Sequence, residues 1–178
     1  MTSDQQQVLL GTILGNSKLI YHKEGCQLLM KSNSKDWLSL KVSELNNLKG
    51  DYSKSHGNYY WKSEPSVELN NLYDQCYLNN SKLILMPTLD ILRDIALAIW
   101  YCDTGALVGR TKTNACLRIQ SLHGTEDVIC QFFNEVGMKC KINWVRQKPT
   151  IVFDKYGTIT FLKIIGPYIP EFKYNLLF

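Results

Sequence analysis

Leu9-Leu10-Gly11-Thr12-Ile13-Leu14-Gly15-Asn16-Ser17 and Leu97-Ala98-Ile99-Trp100-Tyr101-Cys102-Asp103-Thr104-Gly105 constrain this chain more than any other stretch. Each is an apolar run that starts at leucine and stops at a short polar residue followed by Ser or Gly. Gly11 and Gly15 stand four apart in the first, Ala98 and Cys102 four apart in the second. Residues four apart share one face of a helix. Small side chains on that face let two helix backbones approach closely, so the two runs are predicted to pack together. The polar residues that end them would then meet at a shared midline.

These stretches resemble the two signature helices of the LAGLIDADG homing endonucleases, in the single-chain branch that carries two copies. The second stretch is the nearer match to the family pattern L-A-I-W-Y-M-D-D-G. The resemblance continues through the approach from Lys82 to Pro87, the Gln147-Lys148-Pro149 turn, the closing Pro167-Tyr168-Ile169-Pro170, and Tyr174. It therefore spans nearly the whole chain. It implies an α+β fold of two pseudo-twofold αββαββα halves, 1–87 and 88–178, in one compact body. The antiparallel sheets of the halves would form a DNA-binding saddle. It also implies cleavage by acidic residues at the eighth position of each motif, which hold divalent metal over two phosphates. Here those positions are Asn16 and Thr104.

That departure decides the chemistry to expect. Magnesium is a hard cation that favours anionic oxygen and dehydrates reluctantly. Metal-assisted hydrolysis needs that charge to generate hydroxide and to stabilise the leaving oxygen. Asn16 offers a neutral carbonyl and Thr104 a neutral hydroxyl. Asp103 is the only carboxylate left in either motif, and it projects about 100° around a helix from its neighbour. The expectation is a degenerate site with no catalytic residue, no metal and no cofactor; Mg2+ enters only if cleavage survives through Asp103. Lys82 and Lys148 match positions where the resemblance implies basic residues beside the site, and their charge could grip central phosphates.

Local signals order the rest of the chain. Asp4 or Ser3 is placed to cap a helix over 5–14. Residues 18–22 and 27–31 read as a hairpin around Glu24-Gly25. Ser34 begins a helix with Trp37, Leu38, Val42 and Leu45 on one face. Residues 50–57 read as a polar loop, 58–63 as an aromatic strand, and 66–77 as a helix. Thr88 or Asp90 is placed to cap the second signature helix. Strands are expected over 106–112 and 115–121, a helix over 125–136 stopped by Gly137, and strands over 141–146 and 150–153. Asp154 or Thr158 begins a last helix, ended by Gly166-Pro167. The order after residue 88 is blurred in the first half, which reads as an internal duplication.

Period-two alternation selects the residues that face outward. Arg118 and Gln120 fall opposite Leu117 and Ile119. Arg110 and Lys112 share a face of the preceding strand. Lys141, Asn143 and Gln147 share a face of the third, opposite Ile142 and Trp144. Arg and Lys pair with guanine, and Gln or Asn with adenine, in a major groove wide enough for a β-ribbon. Arg146 joins that set, while Lys18, Lys23, Lys31, Lys62, Lys148 and Lys155 supply phosphate contacts. Tyr59-Tyr60-Trp61 reads as core packing, with base stacking as the alternative. His22, His56 and His123 are isolated and read as ordinary surface or satisfied histidines.

Composition sets the bounds. Of 178 residues, 45% are hydrophobic and 20% charged, a globular balance. The net charge of +4 permits a polyanion partner without demanding one. Six cysteines without a C-x-x-C pair read as buried free thiols in a reducing compartment. The polar N-terminus is no signal peptide, and no run is long enough to span a bilayer. An intracellular place is expected, an organelle matrix or a bacterial or phage-infected cytoplasm, with no secretion and no membrane partner.

Three functions follow. The first is a monomeric, sequence-specific binder of double-stranded DNA that no longer cleaves, acting as a regulator or accessory protein. The second is an RNA-binding maturase, or a structural component of a ribonucleoprotein, that holds structured RNA through backbone and shape. The third is an active Mg-dependent DNA endonuclease that uses Asp103.

Overall fold

Thr2, not Ser3 or Asp4, starts the first helix. The computed structural model describes residues 1–122 and 124–176; the expectation for His123 lies outside them. The Thr2 hydroxyl accepts from the Gln5 N–H, and the Gln5 side chain accepts from the Thr2 N–H. That reciprocal cap satisfies two donors at once and outcompetes a lone Asp4. Helix α1 then runs Ser3–Leu14. Strands β1 (Lys18–His22) and β2 (Gly25–Ser32) form the expected hairpin. Ser34 caps α2 (Lys35–Glu44) through the Trp37 N–H.

The expected polar loop is instead a strand, β3 (Gly50–Ser55), paired along its length with β4 (Asn58–Ser63). An exposed edge strand needs no apolar alternation, so its sequence looks like a loop. A 3-10 turn (Val67–Leu69) leads into α3 (Asn70–Cys76). A tight hairpin of β5 (Tyr77–Leu78) and β6 (Ser81–Lys82) follows, turning at Asn79 and Asn80 with positive φ.

Short α4 (Met86–Asp90) crosses the boundary expected at residue 87, and the second signature helix, α5, spans Asp94–Thr104. Neither Thr88 nor Asp90 caps α5. Its N-cap is Arg93, whose N–H donates to Gln7 Oε1 at 2.7 Å, while Gln7 Nε2 donates to the Ile91 carbonyl at 2.9 Å. A buried glutamine on α1 thus serves the start of α5, a cap that no local signal reveals.

Beyond α5 come β7 (Gly105–Val108), β8 (Asn114–Arg118), α6 (Glu126–Glu135), β9 (Cys140–Val145), β10 (Lys148–Phe153) and α7 (Lys155–Ile165). Asp154 caps α7 by accepting the Gly157 N–H at 2.6 Å. Among the described residues, two four-stranded antiparallel sheets share one order, β1-β2-β4-β3 and β7-β8-β10-β9. Helices and the inner sheet faces enclose one hydrophobic core. Trp100, Phe133, Phe153 and Phe161 dominate its second half, with Phe153 and Phe161 stacked at 4.6 Å. Each such ring contributes about 1.5–3 kcal/mol by burial.

Helices α1 and α5 lie side by side, but Ala98 and Cys102 are not the residues that meet the glycines. A Cβ at Gly11 would strike the Ala96 carbonyl, and one at Gly15 would strike Asp103. The glycines on α1 permit the close approach, Gly11 against the Ala96 backbone and Gly15 against the Asp103 side chain. All six cysteines are free thiols. Among the described residues no helix is long and apolar enough to cross a membrane.

Candidate nucleic-acid interface

The bases of α1 and α5 meet at a midline whose only motif carboxylate is already spent. Asp103 accepts bonds from Lys41 Nζ at 2.8 and 2.9 Å and a third from Trp37 Nε1. Both donors come from α2, one helical turn apart. The side chains of Lys41 and Asp103 are 1% and 2% exposed. A buried ion pair survives only when further hydrogen bonds complete it, and Trp37 provides one. Thr104 turns back on its own helix, donating its hydroxyl to the Trp100 carbonyl at 3.1 Å, and is 7% exposed. Asn16 remains exposed and donates its amide to the Asp103 carbonyl at 2.7 Å. Among the described residues no three His, Cys, Asp or Glu side chains cluster as metal ligands do.

Lysines close both helix ends. Lys82 Nζ donates to the Ile13 carbonyl at 2.6 Å, and Lys173 Nζ approaches the Cys102 carbonyl at 3.5 Å. Cations suit the negative end of a helix dipole. Lys82 is largely buried, and that desolvation lowers its pKa from 10.5 to about 8. The structure engages Lys82 as a cap for α1, in the wall of a cavity onto which Asn16 opens. Lys148 stands exposed at the start of β10 and lines none of the cavities onto which Asn16 opens. One of these, about 360 Å³, is walled by Asn16, Lys31, Trp37, Asp103, Arg118 and Lys173. Lys173 was not visible to sequence reasoning as a midline residue; it lies 71 residues after Cys102, in a tail with no patterned spacing.

Strand register fixes the faces turned away from the core. On the first sheet, Lys18, Leu29, Lys62 and Asp51 form one cross-strand row, and Lys31, Tyr60 and Ser53 the next. On the second, Arg118, Thr150 and Asn143 form one row, and Cys116, Val152 and Lys141 another. Lys148 shares this second face by the two-residue period. Among the described residues, the ion pairs join the N-terminus to Glu68, Lys41 to Asp103 and Arg93 to Asp4. The outward cations Lys18, Lys31, Lys62, Arg118, Lys141 and Lys148 take part in none of them.

Four expected placements are corrected. Arg110 and Lys112 do not share a strand face, because β7 ends at Val108 and Gly109 turns the chain with φ +91°. Both lie in the β7–β8 turn. Gln147 leaves the β9 face because it and Arg146 adopt positive φ in the β9–β10 turn. Gln120 lies beyond β8, in a 3-10 turn (Gln120–Leu122), though it stays exposed near Asn16. Lys23 sits in the β1–β2 turn, where the hairpin reading places it. Of the aromatic trio, Trp61 is core, Tyr60 is outward, and Tyr59 packs on the core side.

The sequence profile of the LAGLIDADG DNA endonuclease family matches residues 6–161. Among curated proteins, the chain is 28% identical to Protein RecA of Mycolicibacterium flavescens and to Protein RecA of Mycolicibacterium chitae, over 98% of its own length. It spans 47% of each, about half the length of the curated relatives it matches. Among solved structures it is similar to the homing endonuclease I-WcaI bound to its DNA recognition sequence, with a TM-score of 0.87 at 19% identity, covering 99% of this chain and 87% of that one. It is also similar to I-DmoI in complex with DNA and Mn, with a TM-score of 0.60 at 14% identity over 92% and 96% of the two chains. The N-terminal LAGLIDADG domain of DUF199/WhiA aligns with a TM-score of 0.61 at 11% identity, over 92% and 81%. At these identities the structural likenesses establish the fold.

Proposed function

The chain belongs to the LAGLIDADG DNA endonuclease family, and from that premise we propose that it binds double-stranded DNA sequence-specifically as a monomer and does not cut it. One observation carries this reading. The midline has lost its free acid, while the outer faces of both sheets keep cations free of ion pairs. The donors present do not fit a hard divalent ion: a neutral amide, a hydroxyl bonded to its own helix, and a carboxylate held by Lys41. To ligate a metal, Asp103 would have to abandon Lys41 and leave a buried ammonium unpaired, at a cost of about 3–5 kcal/mol. The Asp103-dependent nuclease is therefore the less favoured reading.

The outer faces supply what groove recognition requires. Arg118, Lys141 and Asn143 on one sheet, and Lys18, Lys31 and Lys62 on the other, are polar donors on antiparallel strands. Part of their contribution is phosphate neutralisation, which makes affinity fall with salt. Homing endonucleases of this fold are known bound to DNA, and that supports DNA as the partner here.

Selection of bound duplexes from a random pool, with and without Mg2+ and scored for cuts, tests the proposal. An enriched motif without cleavage is expected under both conditions. Magnesium-dependent nicking by the native chain would overturn the non-cutting half; no enrichment at all would overturn the binding half. The converse variant, Asn16→Asp with Thr104→Asp, returns two carboxylates to the midline and is expected to gain calorimetric Mn2+ binding that the native chain lacks.

A further inference from the structure

Tyr73 and Tyr77 stack with ring centroids 4.7 Å apart and planes 4° from parallel. Tyr21, on β1, leans toward Tyr73 at 5.7 Å and 49°. The three rings wall a cavity of about 680 Å³ at the open edge of β1, and the same cavity reaches Lys18, Lys31 and Asn80. Two hydrogen bonds fix the inner wall. The Tyr73 hydroxyl donates to Asn80 Oδ1 at 2.6 Å, and the Tyr77 hydroxyl accepts the Leu19 N–H at 2.8 Å.

Edge sealing explains Tyr77, which gives the unpaired Leu19 N–H of an edge strand its acceptor. It does not explain Tyr21. That ring is 60% exposed and stands outside the hydrophobic core, whereas Tyr73 and Tyr77 pack against it. The wall is also absent from the second sheet: β7, the strand corresponding to β1, has no aromatic residue. The cavity is therefore not a by-product of the repeated architecture.

We propose that this cavity receives one unpaired nucleotide of a bound nucleic acid, with its base on the Tyr21 ring and its phosphate at Lys18 or Lys31. The inference rests on the nucleic-acid reading above and adds a demand that a fully paired duplex cannot meet. Paired, stacked bases offer only their edges in the grooves. An unstacked base offers its face, which stacks on an aromatic ring whatever its identity. The volume lies inside the range of about 300–1,000 Å³ common to small-ligand sites. Tyr73 engages the Asn80 carbonyl and leaves the amide nitrogen as a donor for a base acceptor.

The test titrates the full chain with a duplex carrying a single unpaired 2-aminopurine, in DNA and in RNA, beside the fully paired parent. Expected are binding about tenfold tighter to the bulged form and quenching of the 2-aminopurine fluorescence. Tyr21→Ala should abolish both and Tyr21→Trp should retain both; Tyr21 is exposed, so neither change disturbs the core. Quenching with only one backbone supports the proposal and identifies the source of the nucleotide. Equal affinity for paired and bulged forms without quenching, or quenching that survives Tyr21→Ala, overturns it. If the paired parent is bound while the bulge gains nothing, this inference fails alone; if neither form is bound, the nucleic-acid reading fails with it.

Discussion

Where α1 ends, Asn16 stands in solvent and reaches across the midline; where α5 ends, Asp103 and Thr104 turn inward. The eighth positions of the two motifs are engaged in physically different ways. The first is an exposed amide that bonds the opposite helix. The second is a buried hydroxyl that bonds its own. Between them, Asp103 took an internal cation from α2. Together these bonds make a structural joint between the two signature helices, with a lysine at each helix end.

The largest expected effect comes from breaking that joint. Lys41→Ala leaves the Asp103 carboxylate buried without its cation, and should cost about 3–5 kcal/mol in denaturant unfolding. Adding Asp103→Leu should recover much of the loss, because an apolar pair costs no desolvation. A loss below about 1 kcal/mol would mean that the pair is not dry.

The helix contact is the next test. Gly11→Ala drives a methyl into the Ala96 backbone carbonyl, which cannot rotate away. About 1–3 kcal/mol of destabilisation is expected. Ala98→Ser on α5, which does not face Gly11 or Gly15, should cost less; equal costs would show that both helices set the spacing.

Lys82 sharpens the comparison of helix ends through pH. Its pKa is about 8 when folded against 10.5 when exposed. Between those values the unfolded chain binds more protons, so folding becomes more favourable as pH rises. From pH 7 to 9 the gain is about 1 kcal/mol. Lys82→Met lacks it, so the native chain should gain that amount of stability relative to the variant between pH 7 and 9. A difference that stays flat would place the ammonium in water. The smallest effect compares the two sheets. Lys62→Gln and Arg118→Gln should each reduce the log–log salt slope of DNA binding by about 0.9. A slope that responds to only one of them would confine recognition to that sheet.

Much of this was legible in the chain. Helix signatures, the Ser34 and Asp154 caps and the Leu117–Arg118 alternation are local signals, and the fold follows them. What escaped was long-range or masked by polarity. The Asp103 partners lie 62 and 66 residues away. A hint was present, since Lys41 interrupts the apolar face of Trp37, Leu38, Val42 and Leu45, and a lysine in such a stripe needs a buried anion. β3 escaped because Asp51, Ser53, Lys54 and Ser55 read as loop on an exposed edge. Arg110, Lys112 and Gln147 were misplaced because alternation was extended past the glycine and positive-φ residues that end the strands.

The bridge from α2 to Asp103 also limits how the chain can be divided. A cut in the Asn79-Asn80 turn would put the ammonium on one fragment and the carboxylate on the other, each in a pocket made to be dry. Neither piece could settle alone without hydrating that pocket. Mixed together, each would supply the counter-ion the other lacks, so reassembly of the fragments would be driven partly by charge neutralisation at the base of the two signature helices.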